Sequence, residues 1–134
     1  MSQLGLGVII QSLGGNTETV EAVKSALGKT IKNVRLENNE LIFKFTDGTG
    51  LKMYDRGQGC YEARYMVTAD ELTEYSGAKI LDFELKNAPK EKDGHGVHEI
   101  QFLDVKTDKG VFQMANHNEH NGYYGGFWIV ARSV

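Results

Sequence analysis

Short runs of alternating apolar and polar residues, each ended by a turn sequence, recur along most of this chain. They begin near Ile31 and follow one another at about 8–12 residues, the spacing of antiparallel strands joined by tight turns. Turn sequences lie at 37–40, at Asp47-Gly48, where a type I′ hairpin is predicted, and at 107–110. Parallel strands would need long crossover connections, so the pattern excludes a doubly wound α/β fold.

One segment near the N-terminus follows a helical pattern instead. Thr17 is the expected N-cap, Glu18 lies in the first turn, and apolar residues follow at helical spacing until Gly28. The sequence therefore predicts one amphipathic helix over residues 17–27. The expected fold class is α+β but β-rich: a curved antiparallel sheet or open barrel of about six to eight strands, with this helix on one face.

The length and composition fit one globular domain. The chain has 134 residues, 40% of them hydrophobic, and one proline, so we expect a single domain over residues 1–134. Residues 1–16 include an apolar stretch with interspersed glycines and are interpreted as an N-terminal arm that would favour a homo-oligomer. The polar stretch 87–96 is the expected surface loop.

Charge and cysteine content restrict the partners and the compartment. The formal net charge is −3 and no cluster of Lys and Arg exceeds a pair, so we do not expect nucleic acid as the main partner. Cys60 is the sole cysteine, which precludes an intrachain disulfide and favours a reducing compartment. The first cation is Lys24 and the apolar start is too short to span a bilayer, which predicts a cytoplasmic protein without a membrane segment.

The densest chemistry of the chain is the run from His117 to Trp128. Two imidazoles, a carboxylate and two amides stand directly before four aromatic side chains and three glycines. Such polar groups can hydrogen-bond a ligand, and aromatic rings can stack on one, as they do on nucleobases. We therefore predict a binding site at a turn over 117–126, with two charged residues of the strand at 60–66 contributing. The predicted ligand-binding residues are His117, Asn118, Glu119, His120, Asn121, Tyr123, Tyr124, Glu62 and Arg64.

A metal site is a second interpretation of the same run. His117 and His120 form a short-spaced pair, and His98 could be a third ligand of a divalent ion such as zinc. The chain would then be a metal-dependent phosphoester hydrolase, with Glu119 as a ligand or acid–base residue. The histidines could instead hydrogen-bond the backbone of a complicated turn and only stabilise the fold. No other cofactor is predicted, and Cys60 is expected to be a small buried apolar residue rather than a nucleophile.

Three blocks of sequence together carry a resemblance to a known family: Gly59–Met66, His98–Gly110 and His117–Phe127. Over about residues 28–131 the chain resembles a small domain of unknown function carried by tailed phages, prophages and some bacteria. Where the first block of that family has paired cysteines, this chain has Cys60-Tyr61, which argues against a paired-cysteine metal site. The resemblance implies a phage or prophage origin and brings no established chemistry.

These features favour a non-enzymatic phage accessory protein in the cytoplasm of the host cell. Its expected partner is a small, nucleotide-like molecule or a host protein, and no catalytic residue is assigned. Sequestration of a host immune signal, as a form of counter-defence, would follow from the phage resemblance. The metal-dependent hydrolase and a structural or oligomer-forming protein are the alternatives that stay open.

Overall fold

The computed structural model describes residues 17–55, 62–87, 91–93, 96–120, 127 and 129–134. Residues 1–16, interpreted as an N-terminal arm, lie outside this range. The described residues form one α-helix, a 3-10 helix at Leu72–Tyr75 and nine strands, one more than the highest expected count. In chain order the helix and strands are α1 (Thr17–Ala26), β1 (Ile31–Glu37), β2 (Glu40–Phe45), β3 (Gly50–Asp55), β4 (Glu62–Val67), β5 (Ile80–Asn87), β6 (Glu91–Asp93), β7 (Gly96–Thr107), β8 (Gly110–His120) and β9 (Ile129–Ser133).

Helix α1 covers the edge of one sheet with a single apolar face. Ala22 and Val23 are buried, whereas Glu18 in the first turn is exposed, as expected for an amphipathic surface helix. The helix packs against β9 and β3. After its last turn the chain passes through Gly28, whose φ of 84° is readily adopted only by glycine. The amphipathic helix predicted over 17–27 is thus confirmed.

The strands form two antiparallel sheets. The four-stranded sheet has the order β1-β2-β3-β9, and the five-stranded sheet has the order β4-β8-β7-β5 with β6 also paired to β7. Backbone hydrogen bonds between residues 28–31 and 77–80 join the two sheets, for example from Ile31 N to Ala78 O at 2.7 Å. The β-rich antiparallel fold is confirmed. Over the described residues the sheets are not closed into a barrel.

Aromatic residues from both sheets meet in the core. The ring centroid of Phe43 on β2 lies 6.1 Å from that of Phe83 on β5 and 6.1 Å from that of Phe112 on β8. All three side chains are fully buried, and burying a side chain of this size contributes about 1.5–3 kcal/mol. Because side chains alternate along a strand, an inward Phe112 also turns every second residue of β8 inward.

The first hairpin carries the type I′ turn. Asn38 and Asn39 have φ values of 53° and 60°, the left-handed geometry that this turn requires at both central residues. The type I′ turn predicted at Asp47-Gly48 is therefore wrong, because only Gly48 has a positive φ there. Asp47 Oδ1 instead accepts a hydrogen bond from Thr49 N at 2.9 Å, which closes the loop through a side chain.

The hairpin of β7 and β8 positions most of the chemistry. Its register contains 11 residue pairs, from Val97 opposite His120 to Thr107 opposite Gly110, and the turn predicted at 107–110 is confirmed. Part of the loop expected at 87–96 is a strand, since β6 pairs with the start of β7. Over the described residues, the helices are too short and too polar to cross a membrane.

Candidate functional site

Strand β8 runs through the first part of the histidine–asparagine run. It ends at His120 and is hydrogen-bonded to β4 on one side and to β7 on the other. The turn predicted over 117–126 is therefore wrong for residues 117–120. Pairing on both sides satisfies the backbone of β8, and this outweighs the turn preference of asparagine. The remaining predicted ligand-binding residues of the run lie outside the described part of the chain: Asn121, Tyr123 and Tyr124.

Alternation along β8 divides the predicted site between two faces of the sheet. Asn118 and His120 are buried and face the core. His117 is half-buried and Glu119 is exposed, and both lie on the outer face. Arg64 pairs in register with Asn118 and is buried as well. The structure thus divides five of the predicted ligand-binding residues between opposite sides of the five-stranded sheet: Arg64, Asn118 and His120 lie inside, and His117 and Glu119 lie outside.

An ion pair between Arg64 and Asp55 lies on the inner side. Arg64 stands opposite Asn118, and Glu62 stands opposite His120 in the same pairing. The Arg64 Nη1 donates a hydrogen bond to Asp55 Oδ2 at 2.9 Å, and the two side chains are 3% and 8% exposed. Two charges buried this deeply are tolerated only when they are closely paired. The pair fixes the direction of the guanidinium beside the last residue of β3.

A second buried pair connects β8 to β7. His120 Nε2 lies 2.6 Å from Glu99 Oε1, and the side chains are 3% and 9% exposed. With Glu99 as a carboxylate, this contact requires a proton on Nε2, which sets the orientation of the imidazole. His120 was predicted as a site residue, whereas its partner Glu99 was not.

Amide side chains continue the polar surface along the inner face. Asn116 Nδ2 donates to the backbone carbonyl of Gln101 at 3.2 Å. The buried Asn116 Oδ1 accepts no hydrogen bond from the described residues. Together with the two ion pairs, these amides form what we name the inner polar cluster: Asp55, Arg64, Glu99, Gln101, Asn116, Asn118 and His120.

The inner polar cluster occupies one half of a face whose other half is apolar. Toward the loop at 108–109 the same face of the hairpin is lined by buried apolar side chains, namely Leu103, Val105, Phe112 and Met114. From Gln101 and Asn116 onward, the buried residues of this face of the hairpin are polar, namely Glu99, Gln101, Asn116, Asn118 and His120. Burial of so many polar groups costs free energy unless they hydrogen-bond one another or a ligand. This end of the core is therefore the first candidate site.

On the outer side, four side chains from three strands form a second group. The rings of Tyr65 and His117 stack with centroids 4.7 Å apart and planes 5° apart. The Tyr65 hydroxyl donates a hydrogen bond to the Glu119 carboxylate, and His98 Nε2 lies 2.8 Å from His117 Nδ1. We name these four residues the outer quartet. All of them are half-buried or exposed, so solvent reaches them.

The pKa values of two residues of the outer quartet, Tyr65 and His117, are shifted by their surroundings. The hydrogen bond to Glu119, together with burial, raises the pKa of Tyr65 to about 12. Burial, followed by the neighbouring His98, lowers the pKa of His117. At neutral pH, Tyr65 therefore keeps its proton and His117 is a neutral base.

The three predicted metal ligands do not converge. His98 and His117 meet on the outer face, but His120 points into the core on the other side of the sheet. Within the described ranges, no group of three or more histidine, cysteine, aspartate or glutamate side chains is arranged to hold a metal ion. A site built from all three histidines is thus not formed in this arrangement.

Five residues of the two clusters were missed in the sequence. One signal could have found Asn116: it directly precedes His117 and extends the same unbroken polar run. The others are brought in by register and by packing of the sheets, which the sequence pattern did not fix. They are Asp55, Tyr65, Glu99 and Gln101.

The fold and the two clusters define a two-sheet antiparallel β domain with a polar interior at one end. Comparison with known protein families matches residues 24–130 to the family described as Domain of unknown function (DUF7448). The chain belongs to this family, which confirms the resemblance to a domain of unknown function. Neither the curated proteins nor the solved structures gave a match to the chain.

Proposed function

We propose that this protein binds a small, nucleotide-like molecule at the polar end of its core and does not catalyse a reaction on it. The inner polar cluster is the observation that carries the proposal. Three adjacent strands, β4, β8 and β7, turn guanidinium, amide, carboxylate and imidazole groups toward the same buried region. Sites for small ligands combine an apolar surround with a few fixed polar groups of this kind.

The chemistry of the cluster suits a nucleotide. Amide side chains such as Asn116 and Asn118 present a donor and an acceptor together, which matches the edge of a nucleobase. A guanidinium such as that of Arg64 suits phosphate or carboxylate groups. The Arg64–Asp55 and His120–Glu99 pairs hold these groups in place, as expected of a preorganised recognition site.

The chain itself leads from this cluster to its aromatic run. His120 is the last residue of β8 and is followed directly by Asn121. We propose that Tyr123 and Tyr124, two residues further on, stack on the base, a contact that contributes about 1–3 kcal/mol per base. In this arrangement Glu62, Arg64, Asn118, His120 and Asn121 belong to the ligand site, whereas His117 and Glu119 do not.

Calorimetric titration against a panel of mono-, di- and cyclic nucleotides tests the proposal, and the chain offers a matched pair of variants. His120→Gln should weaken binding by about 10- to 100-fold, because it replaces the rigid imidazole that contacts the buried Glu99 carboxylate with a flexible amide. His117→Gln is the same substitution three residues away on the opposite face and should leave the affinity unchanged. A folded protein that is silent across the panel would contradict the proposal and assign the cluster to fold stability alone.

We further propose, on the phage resemblance alone, that such binding serves counter-defence by sequestering a host immune signal, with a host protein as the alternative partner. Expression in a bacterium that restricts phage through a nucleotide second messenger should then raise the plaque count. His120→Gln should remove this effect, and His117→Gln should retain it. Equal plaque counts with and without the protein would contradict the counter-defence role.

A further inference from the structure

We propose that the outer face of the five-stranded sheet binds one divalent transition-metal ion, of the zinc, nickel or copper class, through His98, His117 and Glu119. This site lies on the opposite side of the sheet from the inner polar cluster, so the proposal does not rest on nucleotide binding. Its starting observation is that two imidazole nitrogens, His98 Nε2 and His117 Nδ1, point at each other at 2.8 Å.

The separation of the two nitrogens is close to what a shared ion requires. Zinc–imidazole bonds are about 2.0–2.1 Å long, so two such ligands stand roughly 2.9 Å apart at a right angle and roughly 3.3 Å apart in a tetrahedral site. Opening the contact between His98 and His117 by about half an ångström would admit the ion. The rings must also turn, because the proton of the present hydrogen bond lies on the line between the two nitrogens, whereas a right-angled or tetrahedral ion lies to one side of that line.

Glu119 is placed to supply a third ligand. It stands directly opposite His98 in the β7–β8 register and two residues from His117 on β8, so all three side chains share one face. Its carboxylate now accepts the Tyr65 hydroxyl, and no set of three ligands is already assembled among the described residues. Rotation of this exposed side chain toward His98 completes a two-histidine, one-carboxylate set without moving the backbone.

Tyr65 acts as a supporting residue for this set. Its ring lies flat against the imidazole of His117 and its hydroxyl reaches the carboxylate of Glu119. Residues that orient metal ligands in this way commonly change metal affinity when they are substituted.

The chemistry of the ligand set decides which ion fits. Imidazole ligands favour zinc, copper and nickel over the harder magnesium and calcium ions. The expected selectivity is therefore for the late transition metals.

The test uses the tag-free full chain, stripped with a chelator and dialysed against Zn²⁺ or Ni²⁺. Elemental analysis should find one ion per chain, and NMR of the unaltered protein should show the ring nitrogens of His98 and His117 shifting on addition of Zn²⁺. His98→Gln and His117→Gln should each abolish this binding, and Tyr65→Phe should weaken it by about tenfold. Circular dichroism establishes that each variant is folded.

His120→Gln is the matched control, since it should keep the ion while binding the nucleotide more weakly, whereas His117→Gln should lose the ion and keep the nucleotide affinity. The two proposals can therefore fail separately. The metal site would be overturned if the folded protein took up no ion. It would equally be overturned if one ion remained bound in a folded variant lacking both His98 and His117. The same holds if the NMR signals of the His98 and His117 ring nitrogens did not shift on addition of Zn²⁺.

Discussion

The imidazole of His117 lies parallel to the phenol ring of Tyr65, with 4.7 Å between the ring centroids and 5° between the planes. Stacked aromatic pairs contribute about 0.5–1.5 kcal/mol beyond the burial of their area. The hydroxyl of the same tyrosine binds Glu119. Tyr65 on β4 thereby orders the side chains of His117 and Glu119 on β8. The titration of its hydroxyl reports on the contact with Glu119.

Tyr65 should titrate at unusually high pH. The hydrogen bond to Glu119 raises its pKa from 10.0 to about 12, and Glu119→Gln should bring the pKa back toward its ordinary value. NMR signals of the ring carbon that bears the hydroxyl measure this, with the other tyrosines as internal references. A Tyr65 titration that is the same with and without the Glu119 carboxylate would be inconsistent with the assigned contact.

The raised pKa of Tyr65 also makes the stability of the fold depend on pH in the alkaline range. Because the folded-state pKa of Tyr65 lies above the unfolded value of 10.0, the protonated phenol stabilises the fold fully below pH 10. That contribution is lost as the pH rises toward about 12. In urea denaturation, Tyr65→Phe should therefore show a shallower alkaline loss of stability than the unaltered protein.

His117 should make the fold sensitive to mild acid. Its pKa is lowered in the folded state by burial and by His98, so the unfolded chain binds the proton more readily. The contribution of the neutral ring is present above the ordinary pKa of 6.5 and is lost as the pH falls through the lowered folded value.

The measurement is the free energy of unfolding between pH 7.5 and pH 5. His117→Gln should reduce the dependence on pH in this range, because glutamine does not titrate. If both proteins lose the same free energy over this interval, the pKa of His117 in the folded state is not lowered.

The contact between the sheets predicts that substitution of Phe43 in the core strongly lowers the free energy of unfolding. Phe43→Ala should lower the free energy of unfolding by about 3–5 kcal/mol, because it leaves a cavity between Phe83 and Phe112. Val111→Ala is the control, since Val111 is 51% exposed and should cost less than about 1 kcal/mol. Similar losses at the two positions would mean that Phe43 does not lie in the core.

The buried ion pair should be costly to break from one side. Asp55→Asn replaces the carboxylate that faces the Arg64 guanidinium with a neutral amide and should lower stability by about 3–5 kcal/mol. The exposed Lys29–Asp47 pair is the comparison, because Asp47→Asn should cost less than about 1 kcal/mol. Equal, small losses from both substitutions would show that the Arg64–Asp55 pair is open to solvent.

Much of the fold could be predicted from local pattern. The helix that ends near Gly28 and the turn at 107–110 follow from capping and turn chemistry, which act over a few residues. The type I′ turn predicted at Asp47-Gly48 is wrong because the dihedral angles there depend on a side-chain hydrogen bond to Thr49. Pairing between strands that are distant in sequence leaves no comparable local signal.

The candidate site shows the same limit more sharply. The sequence singled out His117 and His120, and the asparagine and glycine residues nearby suggested a turn that would bring both imidazoles together. The double pairing of β8 sends them to opposite faces instead. Glu99 could not be found, because its meeting with His120 depends on the register of the hairpin.

The two-residue loop at Asp108-Lys109 sets the phase of everything further along β8. Removing or inserting one residue between that loop and Asn116 would expose the buried histidine to water and push its solvent-facing neighbour into the protein interior. Descendants of this chain can therefore exchange an amino acid of the strand where the new side chain suits the face on which it lies. They can change the length of the strand here only in steps of two, because a change of one residue moves every later side chain to the opposite face of the sheet.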